Sequence, residues 1–272
     1  MIKYSISPLE IYKCFWRNKS LIKALIRRDV LGRYQGSVIG VLWSFLIPLF
    51  MLTVYTVVFS VVFNARWNTA SESKTEFALI LFAGLLVFNL FADCLNRAPT
   101  LILNNQNYVK KVVFPIEILP IVVFGSALFH CLISLGVWLI GYIIFFGVPN
   151  ETVWYLPIVI IPFSFFIMGL SWFVASLGVY LRDVNQFMGL LTTVLMFLSP
   201  IFYPVSALPE GYKKLIYLNP LSYIIEQVRN VMFFGVAPKF NDLALYFLAS
   251  MLISWLGFVW FQKTRGGFSD VL

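Results

Sequence analysis

A run of 32 residues, 34–65, carries no charged side chain, and it is entered directly from a basic amphipathic segment. The hydrocarbon core of a bilayer is about 30 Å thick and takes about 20 apolar residues as helix. A run of this length spans a membrane and leaves residues over for tilt or an interfacial start. The cluster ahead of it, Lys19, Lys23, Arg27, Arg28 and Arg33, stays cytoplasmic by the positive-inside bias. That orients everything that follows.

The rest of the chain repeats the pattern. Only 12% of residues are charged, against about 25% in soluble domains. The net charge of +8 sits in short blocks between apolar runs, so it reads as membrane topology and not as a nucleic-acid surface. Cys14, Cys94 and Cys131 form no spaced framework and read as free buried thiols. The first apolar run begins too late, and is too long, for a cleaved signal peptide.

Residues 1–36 form a cytoplasmic arm. Ser7-Pro8-Leu9-Glu10 has the form of a capping box, and from Ser20 onward an apolar and a basic face repeat at helical spacing, suited to the headgroup plane. Gly32, Gly36 and Gly40 recur every four residues, either as a close-packing face or as a loosened bend into the first span. Domain 37–262 holds six spans, at about 37–63, 77–95, 118–146, 153–181, 184–203 and 243–262, and 263–272 is a cytoplasmic tail. Asp93 reads as interfacial, His130 as a packing or interhelical hydrogen-bonding residue, and Ser171, Ala175 and Gly178 as a small-residue face. The segments assigned to the inside hold 14 Lys and Arg against six outside, which places both termini in the cytoplasm.

Two stretches are too polar to span. Residues 96–117 read either as a short docking helix or as a solvated connector. Residues 203–241, punctuated by Pro204, Pro209, Pro220 and Pro238, read as two short amphipathic helices, about 210–218 and 220–234. These form either a re-entrant lid or an ordinary interfacial loop. There is no HExxH, GxSxG, CxxC, paired-carboxylate or Walker A pattern, so the chain is expected to be a non-enzyme that holds no cofactor of its own.

The stretches LIKALIRRDVLGRYQGSVIGVLWSFLIPLFMLTVYTVVF, NNQNYVKKVVFPIEILP, YLRDVNQ and SPIFYPVSALPEGYKKLIYLNPLSYIIEQVRN resemble, in order, the permease subunits of type-2 ABC transporters that export polysaccharide, the O-antigen and teichoic-acid exporters. The resemblance implies an all-α integral membrane protein of the bacterial inner membrane. It has six transmembrane helices, an N-terminal amphipathic interfacial helix, and two short re-entrant periplasmic helices between the fifth and sixth spans. It implies a homodimer with two copies of a separate ATPase subunit that binds ATP and magnesium. The cargo is a polyprenyl-pyrophosphate-linked polysaccharide; membrane lipids are partners and nucleic acid is not.

The resemblance also distributes roles. Asn104, Asn105, Tyr108, Lys110 and Lys111, with the turn Arg182-Asp183, become ATPase contacts. Arg27, Arg28 and Arg33 meet the pyrophosphate, for which the guanidinium fork is suited, or they serve as topology determinants touching acidic lipid. Tyr55, Phe59, Phe88 and Phe91 line a channel in which sugars slide. Tyr203, Pro204, Tyr212, Pro220 and Tyr223 form a periplasmic gate. A teichoic-acid or capsule exporter, a small-molecule exporter of the same superfamily, and a non-transporting scaffold for a glycan-assembly enzyme remain alternatives.

Overall fold

The computed structural model describes residues 6–58, 67, 74–110 and 114–272. Among them the secondary structure is helical, with no strand. The order is α1 (Pro8–Arg17), α2 (Lys19–Gly32), α3 (Trp43–Tyr55), α4 (Lys74–Leu101), α5 (Gln106–Lys110), α6 (Leu119–Phe146), α7 (Leu156–Tyr180), α8 (Val184–Leu198), α9 (Glu210–Leu218), α10 (Pro220–Arg229), α11 (Phe240–Thr264) and α12 (Phe268–Val271).

Among the described residues, five stretches are long and apolar enough to cross a membrane: Gly40–Val58, Thr75–Leu101, Ile116–Phe146, Glu151–Tyr180 and Phe240–Val271. The expected fifth span, 184–203, is instead the 15-residue α8. At 1.5 Å per residue it is about 22 Å long, short of a bilayer core. Ser199 is extended (φ −90°, ψ 148°), the conformation imposed on a residue before proline, and Pro200 ends the helix there.

The first span also begins later than expected. Gly36 (φ +84°) and Gly40 (φ +58°) are left-handed, so the glycines shape a turn and not a close-packing face. Its end beyond Val58 lies outside the described residues. At the N-terminus, Pro8 opens α1 as expected, but the Ser7 side chain makes no cap. Glu10 lies 3.7 Å from Arg17 instead of reaching back.

α4 is the central helix. Its apolar stretch is 83% buried, against 6% for Gly40–Val58. α6, α7, α8 and α10 pack around it, and α7 pairs most extensively with α11. In lipid such pairs are held by close packing and not by hydrophobic expulsion, so small residues matter at the contact. A methyl on Gly169 would lie 2.5 Å from the Ile253 carbonyl, and one on Gly178 would overlap the Pro99 backbone. The small-residue face expected around Gly178 is therefore a real helix contact.

The arm is docked and not free. Cys14, Ile22 and Leu25 bury against Ile118 and Val122 at the start of α6. The three cysteines are free thiols.

The turns sort to two ends of the bundle. At one end, here the arm end, Arg28 meets Tyr108, Asp29 meets Arg97, Glu117 meets Arg265, and Tyr180 donates to the Thr264 carbonyl. At the far end Thr152 donates to the Val231 carbonyl, Asn150 donates to the Phe233 carbonyl, and Tyr155 touches Phe240. The segments that the charge pattern assigns to the inside share the arm end.

Candidate functional site

The arm is tied to α4 by a chain of charges. Arg33 Nη2 lies 2.5 Å from Asp93, Arg97 Nη2 lies 2.6 Å from Asp29, and Arg97 Nη1 comes within 4.0 Å of Asp93. Asp93 and Arg97 are one turn apart on α4, and Asp29 and Arg33 are one turn apart at the end of α2. Four charges thus alternate in sign across the helix pair. α4 runs past Asp93 to Leu101, beyond the apolar boundary near residue 95, and Arg97 pairs with the arm from that extension. Burial raises the Asp29 carboxyl, but the Arg97 hydrogen bond and charge outweigh it and hold the group below the usual carboxylate range.

Behind the ion pairs lies a cavity of about 370 Å³ between α3, α4 and α6. Arg33, Tyr34, Asn89, Asp93, Asn96 and His130 give it polar walls, and Tyr55 and Pro48 close it on the α3 side. The Tyr34 hydroxyl is 3.5 Å from His130 Nδ1, while His130 Nε2 is buried without a partner among the described residues. Arg33 is paired with Asp93 in the cavity wall, and the remaining polar groups, Tyr34, Asn89, Asn96 and His130, are neutral hydrogen-bonding groups suited to a polar ligand.

The three arginines expected at a pyrophosphate do not converge. Arg33 lines the cavity. Arg28 turns away, donating to the Tyr108 hydroxyl at 2.7 Å and lying over its ring. Arg27 is exposed on α2. The physical reason is helical phase, since successive residues on a helix point about 100° apart.

The expected ATPase-contact residues fall in two turns at the arm end. Asn104 is exposed, while Asn105 donates to the Leu101 carbonyl at 2.8 Å and caps the end of α4. Tyr108 stacks on Phe114 with centroids 4.3 Å apart, and Lys110 ends α5. Arg182 and Asp183 are exposed between α7 and α8. Lys111 lies outside the described residues.

The channel-lining aromatics need correction. Phe88 and Phe91 are both 4% exposed, and Phe91 stacks on Phe163 and Phe166 of α7. They belong to the core because α4 is covered on both faces. Tyr55 lines the arm-end cavity, and Phe59 lies outside the described residues.

At the far end, α9 and α10 form a helical hairpin. Tyr223, in the first turn of α10, stacks on Tyr246 in the second turn of α11. Tyr203 donates to the Phe197 carbonyl at 3.1 Å. Pro204 lines a second cavity of about 380 Å³, together with Trp67, Lys213 and Glu226. Tyr212 is exposed, and Pro220 is the first residue of α10.

Sequence reasoning missed Arg229, counting it only as an outer charge. It is buried at the end of α10. The signal was present: Leu221, Ile225 and Val228 mark the apolar face of α10, and Arg229 follows Ile225 by one turn.

Known proteins resemble this chain over most of its length. The family model described as ABC-2 type transporter matches residues 20–233. A Myxococcus xanthus protein, "O-antigen export system permease protein RfbA", is 24% identical over 264 residues, covering 96% of this chain and 99% of the relative. A Klebsiella pneumoniae protein of the same name is 25% identical over 254 residues, covering 93% and 95%. A second from Klebsiella pneumoniae is 23% identical over 253 residues, with the same coverage.

Proposed function

This chain belongs to the ABC-2 type transporter family, and from that premise we propose that it is the membrane subunit of an ATP-driven exporter. Its cargo is a polyprenyl-pyrophosphate-linked polysaccharide of O-antigen type, delivered to the periplasmic face of the bacterial inner membrane. The observation that carries the reading is near end-to-end similarity to relatives named as O-antigen export permeases, covering 93–96% of the chain.

The working assembly is a homodimer with two ATPase subunits, which bind ATP and magnesium. The exposed faces of α3 (Ile47, Phe50, Val54) and α8 (Phe187, Leu190, Val194) are available to lipid or to the second copy. The arm end is cytoplasmic. Asn104, Tyr108, Lys110 and Lys111 form one contact with the ATPase, and Arg182 with Asp183 forms another. Arg33 in the cavity wall receives the pyrophosphate, Arg28 braces Tyr108, and Arg27 holds the arm at the lipid surface. The sixth crossing is made by α8 and the residues after it. In support, α7 ends at the arm end and α11 begins at the far end, so residues 181–239 carry the chain across. The hairpin of α9 and α10 is the re-entrant periplasmic gate, with Tyr203, Pro204, Tyr212, Pro220 and Tyr223 around it.

The test is co-expression with the neighbouring open reading frames, purification in mild detergent, and an export assay in vesicles loaded with a polyprenyl-diphosphate glycan. Equimolar recovery of the ATPase and ATP-dependent export are expected. A chain that purifies stably without an ATPase overturns the assignment in favour of the scaffold reading. An active complex that leaves the glycan in place overturns the cargo.

A further inference from the structure

Arg229 is 3% exposed and makes no ion pair among the described residues. A buried guanidinium is tolerated only when its donors are satisfied. Here Nε donates to the Ile80 carbonyl at 3.0 Å, Nη2 donates to the Ile201 carbonyl at 2.6 Å, and Nη1 donates to the Pro200 carbonyl. The Trp67 ring lies 4.4 Å from the guanidinium carbon. Space for this group is made by Gly84, where a methyl would lie 2.7 Å from Nη2.

The acceptors come from two places. Ile80 is on the central helix α4. Pro200 and Ile201 form the turn that follows α8 and the extended Ser199, so their carbonyls lie outside any helix. The other end of α10 grips the same stretch. Asn219 accepts from the Leu221 amide at 3.0 Å and donates to Ser199 Oγ at 2.9 Å. Ser199, Pro200 and Ile201 are therefore held from both ends of α10. At its opposite end α8 begins at the exposed turn Arg182-Asp183, about 22 Å away along the helix.

We propose that Arg229 is the positioning residue that makes the far-end hairpin move with α8, delivering displacement of the Arg182-Asp183 turn to α9 and α10. The inference rests on the exporter reading above. Arginine suits this task because one planar fork meets carbonyls from two elements at once, whereas lysine presents a single point charge.

The experiment uses the complete complex in liposomes and a reporter buried in α10. Ser222 is 0% exposed, so Ser222→Cys is labelled by a membrane-impermeant maleimide only when α10 leaves its seat. The wild-type chain, whose cysteines are buried or half-buried, sets the background. Addition of ATP is expected to raise the labelling rate at least tenfold. With Arg229→Lys added, that dependence is lost while ATP hydrolysis stays within twofold. Gly84→Ala leaves the arginine in place but displaces its fork, and should give the same result. It carries the test if the lysine variant does not assemble.

Labelling that responds to ATP as strongly in both variants as in the reporter chain overturns the role of Arg229 and leaves the exporter reading intact. A reporter chain that hydrolyses ATP, exports glycan and labels at a constant rate also overturns this role alone. Failure of the wild-type chain to bind an ATPase overturns the exporter reading, and this proposal with it.

Discussion

Asp29 on α2 and Arg97 on α4, 68 positions apart in the chain, lie 2.6 Å apart, 26% and 29% exposed, and join the two helices. Exposed ion pairs contribute about 0–1 kcal/mol, and hydrogen bonds to charged groups about 1.5–3. At this partial burial Asp29→Asn should destabilise arm docking by about 1–2 kcal/mol. Limited proteolysis within 6–33 should speed up by roughly tenfold, since 1.4 kcal/mol is a factor of ten. An unchanged cleavage rate would show that the pair contributes nothing to docking.

The same pair sets a pH dependence. The folded Asp29 carboxyl is held low by Arg97, so its stabilisation is fully present above the unfolded value of about 3.9. It is lost as pH falls through the lower folded value. Arm docking should therefore be flat in this contribution from pH 7 to about 5 and weaken in more acidic solution. Asp29→Asn should remove that part of the acid limb. Proteolysis at stepped pH in both chains checks it, and identical acid limbs would exclude Asp29 as a source.

Helix spacing yields a third expectation. A leucine at Gly178 must push α7 away from the Pro99 backbone, whereas Gly189 on α8 has nothing within 4 Å. Overpacking a tight contact costs about 1–3 kcal/mol and more where backbone is the obstacle. Gly178→Leu should lower the melting temperature in detergent and broaden the size-exclusion profile. Gly189→Ala should leave both unchanged. Equal behaviour of the two variants would mean the α4–α7 distance is not set by Gly178.

These contacts divide what one sequence reveals from what it conceals. Uncharged runs and proline punctuation were enough to locate the long helices and to set α9 at 210–218, because local pattern decides both. The end of α8 was misjudged, since the apolar run continues through Ile201 and Phe202 although Pro200 had already broken the helix. Partnerships across the bundle were not legible. Arg28 and Tyr108 are 80 residues apart, Arg33 and Asp93 are 60, and periodicity within a helix says nothing about which turn of another helix it meets. For the same reason Phe88 and Phe91 were expected to line a channel, although both are buried and Phe91 stacks on α7.

The cavity separates the three arginines in space. Arg33 stands in its wall beside Asp93, Arg28 is committed to Tyr108, and Arg27 is exposed on the arm. If the cavity receives a lipid-linked pyrophosphate, only Arg33 is placed to exchange Asp93 for phosphate oxygens. Arg33→Gln removes that charge but keeps a hydrogen-bonding side chain of similar reach. It should reduce glycan export in vesicles by at least tenfold, while recovery of the ATPase stays within twofold. Arg27→Gln should cost less than twofold in export, because a surface charge acts mainly on lipid attraction. Arg28→Gln should act differently again, loosening Tyr108 and α5 and lowering ATPase recovery before export chemistry is reached. The decisive comparison is the ratio of export to bound ATPase. If Arg27→Gln and Arg33→Gln lower that ratio equally, the arginines act as a diffuse lipid-facing charge and the cavity is not the headgroup site.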